Sequence, residues 1–540
     1  MIHDLWYKNA VVYSLDVETY LDANGDGCGD FEGLTRRLDY LDALGVDAVW
    51  LAPFQPSPRR DDGYDISDYY GVDRRFGSGG DFVEFMREAD SRGIRVLIDL
   101  VVNHTSNRHP WFQERPDWYV WAKKRPRNFK SGVVFPGVQK TTWTFDRRQR
   151  EYYFHRFYDF QPDLDMDNPR VREEVRRIMG FWVQLGVAGF RVDAVPFVLE
   201  KPPRGSGPRT IHFEYLEEFR EFLQWRSGEA VLLGEANVTP QETRPYFAGG
   251  HGLHMMFNFW VNQHLWLALA SRDARPLAAA LRATKALPPT AQWAHFLRNH
   301  DELDLGRLSL QERRLCFGDF APEETMQLYG RGIRRRPAPM LGDERRLRLA
   351  YSIVLSLPGT PVLRYGDEIG MGDNMRLPER NAIRTPMQWS AEPSAGFSTA
   401  ARLVRPVVTR GPYGYEHVNV EEQRRDDTSL LQWTARMIRL RKQCPEIGWG
   451  DWSILAGGSS SVLAVDYRWR GNTLVCLHNL DSNPHEAKLR LGREPLANLI
   501  DVEELRADAD GVHRVTLEPY GSRWFRLGKV NQPLARDAVG

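Results

Sequence analysis

The chain has 540 residues, 42% of them hydrophobic and 12% aromatic, so it is long enough for two or three domains with packed cores. Its 72 basic and 72 acidic residues balance, which argues against nucleic acid or a membrane surface as a partner. No apolar run reaches the roughly 18 residues of a membrane helix. The first residues predict no signal peptide, and the four cysteines have no paired spacing. A reducing, cytoplasmic location is expected.

Eight short apolar runs recur along the chain, and each is followed by a polar loop and a helical stretch. In order they are AVVYSLDV, GVDAVWLAPF, GIRVLIDLVVN, GVAGFRVDAV, AVLLGEAN, HMMFNFW, AHFLRNHDE and PVLRYGDEI. Strands that alternate with helices are typical of a parallel α/β sheet. Eight such units predict a (β/α)₈ TIM barrel, which would comprise residues 1–103 and 166–445.

Two parts of the chain depart from this alternation. Residues 104–165 are rich in proline and aromatic residues and are too long for an ordinary loop, so they predict an inserted, loop-rich domain after the third strand. Over residues 446–540 the pattern changes to short alternating runs separated by polar turns. This pattern predicts a C-terminal antiparallel β-sandwich domain.

An acidic loop follows the first predicted strand. In LDANGDGCGDFEGL, oxygen-bearing side chains recur at Asp22, Asn24, Asp26 and Asp30. An EF-hand needs a bidentate Glu at loop position twelve, but Gly33 occupies that position, and no amphipathic helix leads into the loop. A calcium switch is therefore excluded, whereas a fixed Ca²⁺ site and a metal-free acidic turn both remain open.

Ionisable side chains cluster where the predicted strands end, which is where a barrel of this kind carries its functional groups. Arg191 and Asp193 are two apart on the fourth strand, so both lie on one side of it. The guanidinium would favour an ionised Asp193, as a nucleophile requires. Glu235 emerges from an apolar run, which raises a carboxyl pKa and suits a general acid. The third and seventh strands add Asp99, Asn103, His104, His300 and Asp301.

This set of groups is typical of a retaining glycosidase. Asp193 would attack the anomeric carbon, while Glu235 would protonate the leaving oxygen and then activate the incoming hydroxyl. Asp301 would bind sugar hydroxyls. Any one of these acids alone is equally well explained as a surface or capping carboxylate, so the prediction depends on the whole set.

The segments DLVVNH, GFRVDAV, GEAN and FLRNHDE occur in this order and resemble the four signature segments of the α-amylase superfamily of glycoside hydrolases. DDGYDISDYY and IRTPMQWS are similar to further elements of its small-glucoside members. The resemblance implies that Tyr64 stacks on the non-reducing glucose, Asp61 closes the far end of the pocket and Arg384 faces the next sugar. It also implies substrate contacts for His104, Arg191 and His300.

Within the superfamily, stretches spread over most of residues 5–400 resemble the trehalose synthase branch, with oligo-1,6-glucosidases and α-glucosidases as relatives. The resemblance implies maltose, trehalose or a sucrose-like disaccharide as substrate, a covalent β-glucosyl-aspartate intermediate and no organic cofactor. It is also compatible with a homo-oligomer. The chain departs from the branch in VLEKPPRGSGPRTIH, in LPERNAIRTPMQW and at Arg364, where an aromatic residue is usual. Because these loops enclose the space beyond the first glucose, an α-glucosidase or transglucosylase remains an alternative to intramolecular isomerisation.

Two metal sites are implied by the same resemblance. The acidic loop is similar to a Ca²⁺ or Mg²⁺ loop of this branch, with side-chain ligands Asp22, Asn24, Asp26 and Asp30 and the carbonyl of Cys28. A second, interdomain Ca²⁺ would be bound by Asn103, Asp163 and Glu200 with the carbonyls of Phe197 and Val198. Both ions would be structural.

Two other interpretations compete with an enzyme acting on small glucosides. A non-catalytic family member, such as the heavy chain of an amino-acid transporter, normally lacks the acidic pair and carries a membrane helix. This sequence has both acids and predicts no such helix. An endo-amylase needs an open cleft, whereas Asp61 and Tyr64 indicate a pocket closed behind one glucose.

Overall fold

The computed structural model describes residues 3–200, 210–456, 458–501 and 503–528. The part KPPRGSGPR (201–209) of the departing segment VLEKPPRGSGPRTIH therefore lies outside the described residues. Eight parallel strands close into a barrel in which each strand pairs with the next one along the chain and the last pairs with the first. The predicted (β/α)₈ barrel is therefore confirmed. Its strands are β1 Val12–Leu15, β2 Ala48–Leu51, β3 Arg95–Leu100, β4 Gly189–Val192, β5 Val231–Gly234, β6 Met255–Phe257, β7 Gln292–Phe296 and β8 Thr360–Arg364.

Helices follow most of the strands and cover the outside of the barrel. Pro169–Gln184 shows why such a segment is helical, because Asn168 caps its first turn and Pro169 occupies the first helical position. The longer helices are Gly79–Ser91, Pro169–Gln184, Glu214–Arg226, Phe259–Ser271, Arg275–Ala283, Leu310–Phe320, Glu344–Ser356 and Leu430–Lys442. The shorter ones include Phe31–Arg36, Leu38–Leu44, Pro110–Glu114, Val195–Leu199, Arg244–Phe247, Pro337–Leu341, Val420–Arg425 and Glu446–Trp449.

The barrel interior is a packed apolar core and not a pore. Buried strand side chains such as Trp50, Leu97, Leu233, Phe257 and Phe296 meet in one cluster. Since the interior is filled, polar groups are confined to the strand ends, and the carboxyl ends of all eight strands meet at one rim.

The inserted segment forms a three-stranded antiparallel sheet with its strands in the order Trp121–Ala122, Glu151–Phe154 and Trp143–Asp146. It returns to the barrel where His104 pairs with Asp163. A second extension, between β7 and β8, was not predicted. Its strands Leu303–Asp304, Gln327–Leu328 and Gly332–Ile333 have two residues each, too few to show a periodic pattern.

The C-terminal region consists of two antiparallel sheets that enclose an apolar cluster, as the predicted sandwich requires. The six-stranded sheet contains Asp451–Ile454, Val462–Trp469, Asn472–Asn479, Ser522–Leu527, Leu496–Asn498 and Glu504–Leu505, and the two-stranded sheet contains His485–Arg490 and Val512–Leu517. Trp524 donates a hydrogen bond to Ser352 of a barrel helix at 3.1 Å, which joins the two regions. Among the described residues, no helix is long and apolar enough to cross a membrane.

The junction between the barrel and the C-terminal region requires a glycine. A Cβ at Gly448 would lie 1.9 Å from the carbonyl oxygen of Lys8, so an alanine would force two backbone segments apart. We expect Gly448→Ala to lower the free energy of unfolding by about 1–3 kcal/mol, seen as a lower melting temperature in differential scanning calorimetry.

Gly318→Ala is the matched control, because a Cβ at this helical position meets no atom within 4 Å. It should leave stability unchanged or raise it by roughly 0.5–1 kcal/mol. Equal melting temperatures for the two variants would contradict the close approach at Gly448.

Candidate active site

The barrel rim brings the predicted residues of different strands to one cavity of about 710 Å³. Asp193 directly follows β4, Glu235 directly follows β5, and His300 and Asp301 follow β7. The cavity is lined by Asp61, Tyr64, His104, Asp193, Glu235, His300 and Asp301, together with Phe135 of the inserted domain and Arg331 of the second extension. The set predicted from separate strand ends therefore shares one space.

The guanidinium of Arg191 is the centre of the acidic cluster and is fully buried. Its Nη1 donates to Asp99 at 2.5 Å and to Asp193 at 2.6 Å, and its Nη2 lies 2.8 Å from Glu235. Asp99 also accepts a hydrogen bond from the indole of Trp50 at 2.9 Å. One cation thus positions both predicted catalytic carboxyls and a third acid beneath them.

Burial, more than Arg191, sets the protonation of these acids. It raises the pKa of Asp193 to about 6, although Arg191 acts in the opposite direction. Burial likewise raises the pKa of Glu235 to about 7, again against Arg191. The expected direction of the arginine's effect on Asp193 is thus found, but burial outweighs it. Near neutral pH Asp193 loses its proton before Glu235, which suits a nucleophile beside a general acid.

Tyr64 and His300 form one wall of the cavity. Their rings are parallel with centroids 5.4 Å apart, and the Tyr64 hydroxyl lies 2.7 Å from His300 Nε2. The Nε2–H of His104 donates to the Tyr64 carbonyl at 2.9 Å. Burial lowers the pKa of His300 well below its ordinary value, so the ring is neutral beside Asp301. The wall is rigid and can hold a sugar against the tyrosine ring.

Arg380 lines the same cavity and was not named from the sequence. It donates to Asp61 at 2.9 Å and to Asp301 at 2.6 Å, so it bridges two acids expected to bind sugar hydroxyls. Gln161 of the inserted domain donates to Asp61 at 2.9 Å. The only signal in the sequence was the departing segment LPERNAIRTPMQW, which contains Arg380.

Arg384 lies behind the cavity wall instead of facing a second sugar. It is 2% exposed, donates to the His300 carbonyl at 2.8 Å and to Asp301 at 3.1 Å, and pairs with Asp62. Asp62 is shared with Arg405. Because its guanidinium contacts Asp62 and Asp301, Arg384 supports Asp301 from behind. Arg380, and not Arg384, lines the cavity.

A layer of buried ion pairs closes the cavity behind Tyr64. Arg364 pairs with Asp16. Burial raises the pKa of Asp16, but the charge and hydrogen bond of Arg364 outweigh burial and bring that pKa to about 2. Arg364 therefore replaces the expected aromatic residue with a charge that Asp16 balances. The space left between this layer and Tyr64 is about 10 Å³, room for one water molecule. The cavity is thus a pocket with one closed end.

The acidic loop has the predicted oxygen donors, but they are engaged with the backbone. Asp22 accepts from two loop N–H groups at 2.7 and 2.8 Å, Asn24 and Asp26 each accept from one, and Asp30 caps the next helix. The thiol of Cys28 is buried and its pKa is raised to about 12, so it is not a ligand. Asp22 Oδ2 and Asp30 Oδ2 each accept two hydrogen bonds. The other carboxylate oxygens of the loop accept one or none and retain a lone pair that a hard cation could use.

At the predicted second metal site, Asp163, Phe197, Val198 and Glu200 line a space of about 10 Å³. Asn103 hydrogen-bonds to Asp163, whose pKa burial raises to about 7. Arg156 also lines this space and lies 3.0 Å from Glu200. Its cation competes with a metal for that carboxylate. Within the described ranges, no group of three or more His, Cys, Asp and Glu side chains is arranged to hold a metal, so both metal sites stay predictions.

Comparisons with known proteins cover the barrel and the C-terminal region. The family model "Alpha amylase, catalytic domain" matches residues 17–314 and 334–450, and "Sucrose hydrolase-like, C-terminal domain" matches residues 471–526. A trehalose synthase of Thermus thermophilus is 44% identical, with 98% of this chain and 56% of that protein covered. A trehalose synthase/amylase of Mycobacterium tuberculosis is 40% identical, with 97% and 90% covered.

Among solved structures, a variant of the trehalulose synthase MutB superposes with a TM-score of 0.77 at 25% identity. The superposition covers 97% of this chain and all of that one. The chain therefore spans 56% of the length of the Thermus relative, but nearly the whole of the mycobacterial relative and of this structure.

Removing the central cation should raise the pKa of both carboxyls further. In Arg191→Gln, the ionised forms of Asp193 and Glu235 lose their stabilising charge, so their titrations should move above about 6 and about 7. The measurement is carboxyl ¹³C NMR against pH, with circular dichroism to verify folding. Arg402→Gln, at an exposed arginine, should leave both titrations in place. Unchanged or lower values in Arg191→Gln would contradict the assigned role.

Proposed function

The chain belongs to the α-amylase family of glycoside hydrolases, and on this premise we propose that it interconverts maltose and trehalose by transferring a glucosyl unit through Asp193. The observation that supports this proposal most strongly is the pair Asp193 and Glu235 on one arginine in a closed-ended pocket. A trehalose synthase identity of 44% over nearly the full chain supports the same choice.

The chemistry consists of two displacements. The Asp193 carboxylate attacks the anomeric carbon of the non-reducing glucose, and the bond from that carbon to the glycosidic oxygen breaks. Glu235 gives its proton to this oxygen, so the second glucose leaves neutral. In the return step Glu235 takes the proton of an incoming hydroxyl, which attacks the β-glucosyl ester and releases Asp193. Two inversions retain the α configuration.

The wall residues select the glucosyl unit. The ring would lie against Tyr64, while Asp61 and Asp301 accept hydrogen bonds from its hydroxyls. Arg380 already bridges these two acids at 2.9 and 2.6 Å, so their positions are fixed before the sugar enters. Such preorganisation reduces the cost of ordering the site on binding.

The size of the pocket supports isomerisation over simple hydrolysis. At about 710 Å³ it is in the range of pockets that bury a whole small ligand, roughly 300–1,000 Å³. A released glucose can therefore stay, turn and present its anomeric hydroxyl to the ester. Isomerisation, hydrolysis and transglucosylation differ only in whether released glucose, water or another acceptor attacks the ester. The product distribution therefore decides between them.

The decisive measurement is ¹H NMR of the products formed from maltose. We expect trehalose with little free glucose, whereas glucose alone would show an α-glucosidase and refute the proposal. Glu235→Gln should slow turnover by about 10²–10⁴-fold because it removes the general acid, and Asp193→Asn should abolish it. Asp68→Asn, at an exposed acid outside the pocket, should keep the full rate. Near-normal turnover in either active-site variant would overturn the assignment.

As a separate structural point, we propose that the acidic loop Asp22–Asp30 binds Ca²⁺, because its four side chains offer hard oxygen donors. The melting temperature should then rise when Ca²⁺ replaces EGTA, and Asp26→Ala should lose this rise. Asp68→Ala is matched, since Asp26 and Asp68 each accept one backbone N–H two residues on, at 2.8 and 2.9 Å. It should keep the Ca²⁺ effect. If Mg²⁺ raises the melting temperature as much as Ca²⁺ does, the loop also binds Mg²⁺. An unchanged melting temperature with both ions would refute the site.

Three expectations from the sequence concern the cytoplasmic location, the second Ca²⁺ and the association of identical chains. They stay predictions, and the charge distribution bears on the last of them.

A further inference from the structure

The inserted domain carries an uncompensated positive charge. Between residues 121 and 151 there are nine Lys and Arg residues against only two acids, Asp146 and Glu151. Because Ala122 pairs with Tyr152 and Asp146 with Glu151, the chain leaves one strand beside the hairpin that joins the other two. Five of the nine cations therefore gather at one end of the sheet, here called the basic tip: Lys123, Lys124, Arg147, Arg148 and Arg150.

All nine cations are exposed, and among the described residues none of them forms an ion pair. Exposed arginines elsewhere in the chain commonly pair with an acid, as Arg87 does with Glu84 at 2.6 Å. The four of the nine cations that lie outside the basic tip are Arg125, Arg127, Lys130 and Lys140. A local excess of this size produces a positive potential that attracts an acidic surface from solution.

An acidic counterpart exists in the C-terminal region. Residues 501–510 contain five acids and one base, Arg506. The described acids, here called the acidic strip, are exposed: Asp501, Glu503, Glu504, Asp508 and Asp510. Of the strands that the structure describes, Glu504–Leu505 is at the edge of the six-stranded sheet and pairs with Leu496–Asn498 alone, so the strip lies on an open side of the domain.

Within one chain, no ion pair between described residues joins the two charged surfaces. Among the described residues, the acids of the strip that pair do so locally, Glu504 with Arg506 at 3.5 Å and Asp508 with Arg514 at 3.9 Å. The chain as a whole is neutral, with 72 charges of each sign, so it has no net repulsion between copies. Complementary patches on a neutral molecule favour contact between two copies.

We propose that the basic tip of one copy docks on the acidic strip of a second copy. The contact is heterologous, because each copy offers its tip to one neighbour and its strip to another, so assembly closes into a ring or extends as a chain. Since the attraction is between exposed charges, it weakens as salt shortens the screening length.

The experiment is sedimentation velocity of the full chain at low and high salt. At about 10 mM NaCl, where screening extends over about 30 Å, the protein should sediment as an assembly, and at about 1 M, where it extends over about 3 Å, as a monomer. Arg147→Glu with Arg148→Glu should be monomeric at both. Glu503→Lys with Glu504→Lys should also be monomeric at both, because it changes the net charge of residues 501–510 from −4 to zero and so removes the attraction for the tip.

Mixing the two double variants gives the sharpest outcome. The strip variant keeps an intact basic tip and the tip variant keeps an intact acidic strip, so the equimolar mixture should associate through that one contact at low salt although neither variant does alone. Arg282→Glu with Arg410→Glu is the control, since it makes the same change of charge at exposed arginines outside both surfaces. It should assemble like the unaltered chain.

Three results would overturn the proposal. A monomer at low salt would show that the surfaces do not associate, and an assembly that persists in the tip variant would place the contact elsewhere. Loss of the assembly on nuclease treatment, with nucleic acid absorbance in the sedimenting species, would show that the tip binds nucleic acid instead of a second copy.

Discussion

The active site depends on one buried guanidinium that is shared by three acids. Asp99, Asp193 and Glu235 all lie within 2.8 Å of Arg191 nitrogen atoms, and none of the four side chains is more than about a fifth exposed. Three neighbouring carboxyls in such a place would repel one another and lose their solvation. Arg191 offsets part of this cost, and the rest remains as raised pKa values. Burial raises the pKa of Glu235 to about 7, and this raised pKa keeps its proton available near neutral pH.

The same alternation of charge continues outward from the cluster. Arg380 pairs with both Asp61 and Asp301. Arg384 pairs with both Asp301 and Asp62, and Arg405 also pairs with Asp62. Each acid that faces the sugar thus has a cation beside or behind it, which fixes its position without blocking the whole carboxylate. Removing one member would leave a buried charge unpaired, so the closed end of the pocket works as a unit.

The sequence predicts the parts of this site that follow from strand geometry. Asp193 and Glu235 follow separate strands, and parallel strands bring their carboxyl ends to one rim, so their proximity could be read from the pattern. The depth of burial could not, which is why the raised pKa of Asp193 was missed. Arg380 was not predicted because it follows no strand. The strand Leu303–Asp304 was not predicted because two residues show no periodicity. Arg384 was assigned by resemblance, which transfers a residue type but not the side-chain direction.

In the proposed reaction, the wall that the inserted domain supplies determines whether glucose or water attacks the ester. Phe135 lines the pocket, stacks on Tyr158 with ring centroids 5.0 Å apart and lies 5.2 Å below the guanidinium of Arg380. The segment from Lys123 to Lys140 that carries Phe135 also carries part of the positive charge of the domain. A partner bound at the basic tip would therefore restrain a segment that lines the pocket. Exclusion of water and contact with a second copy are consequently demands on one stretch of chain, and substitutions there have to be tested for both.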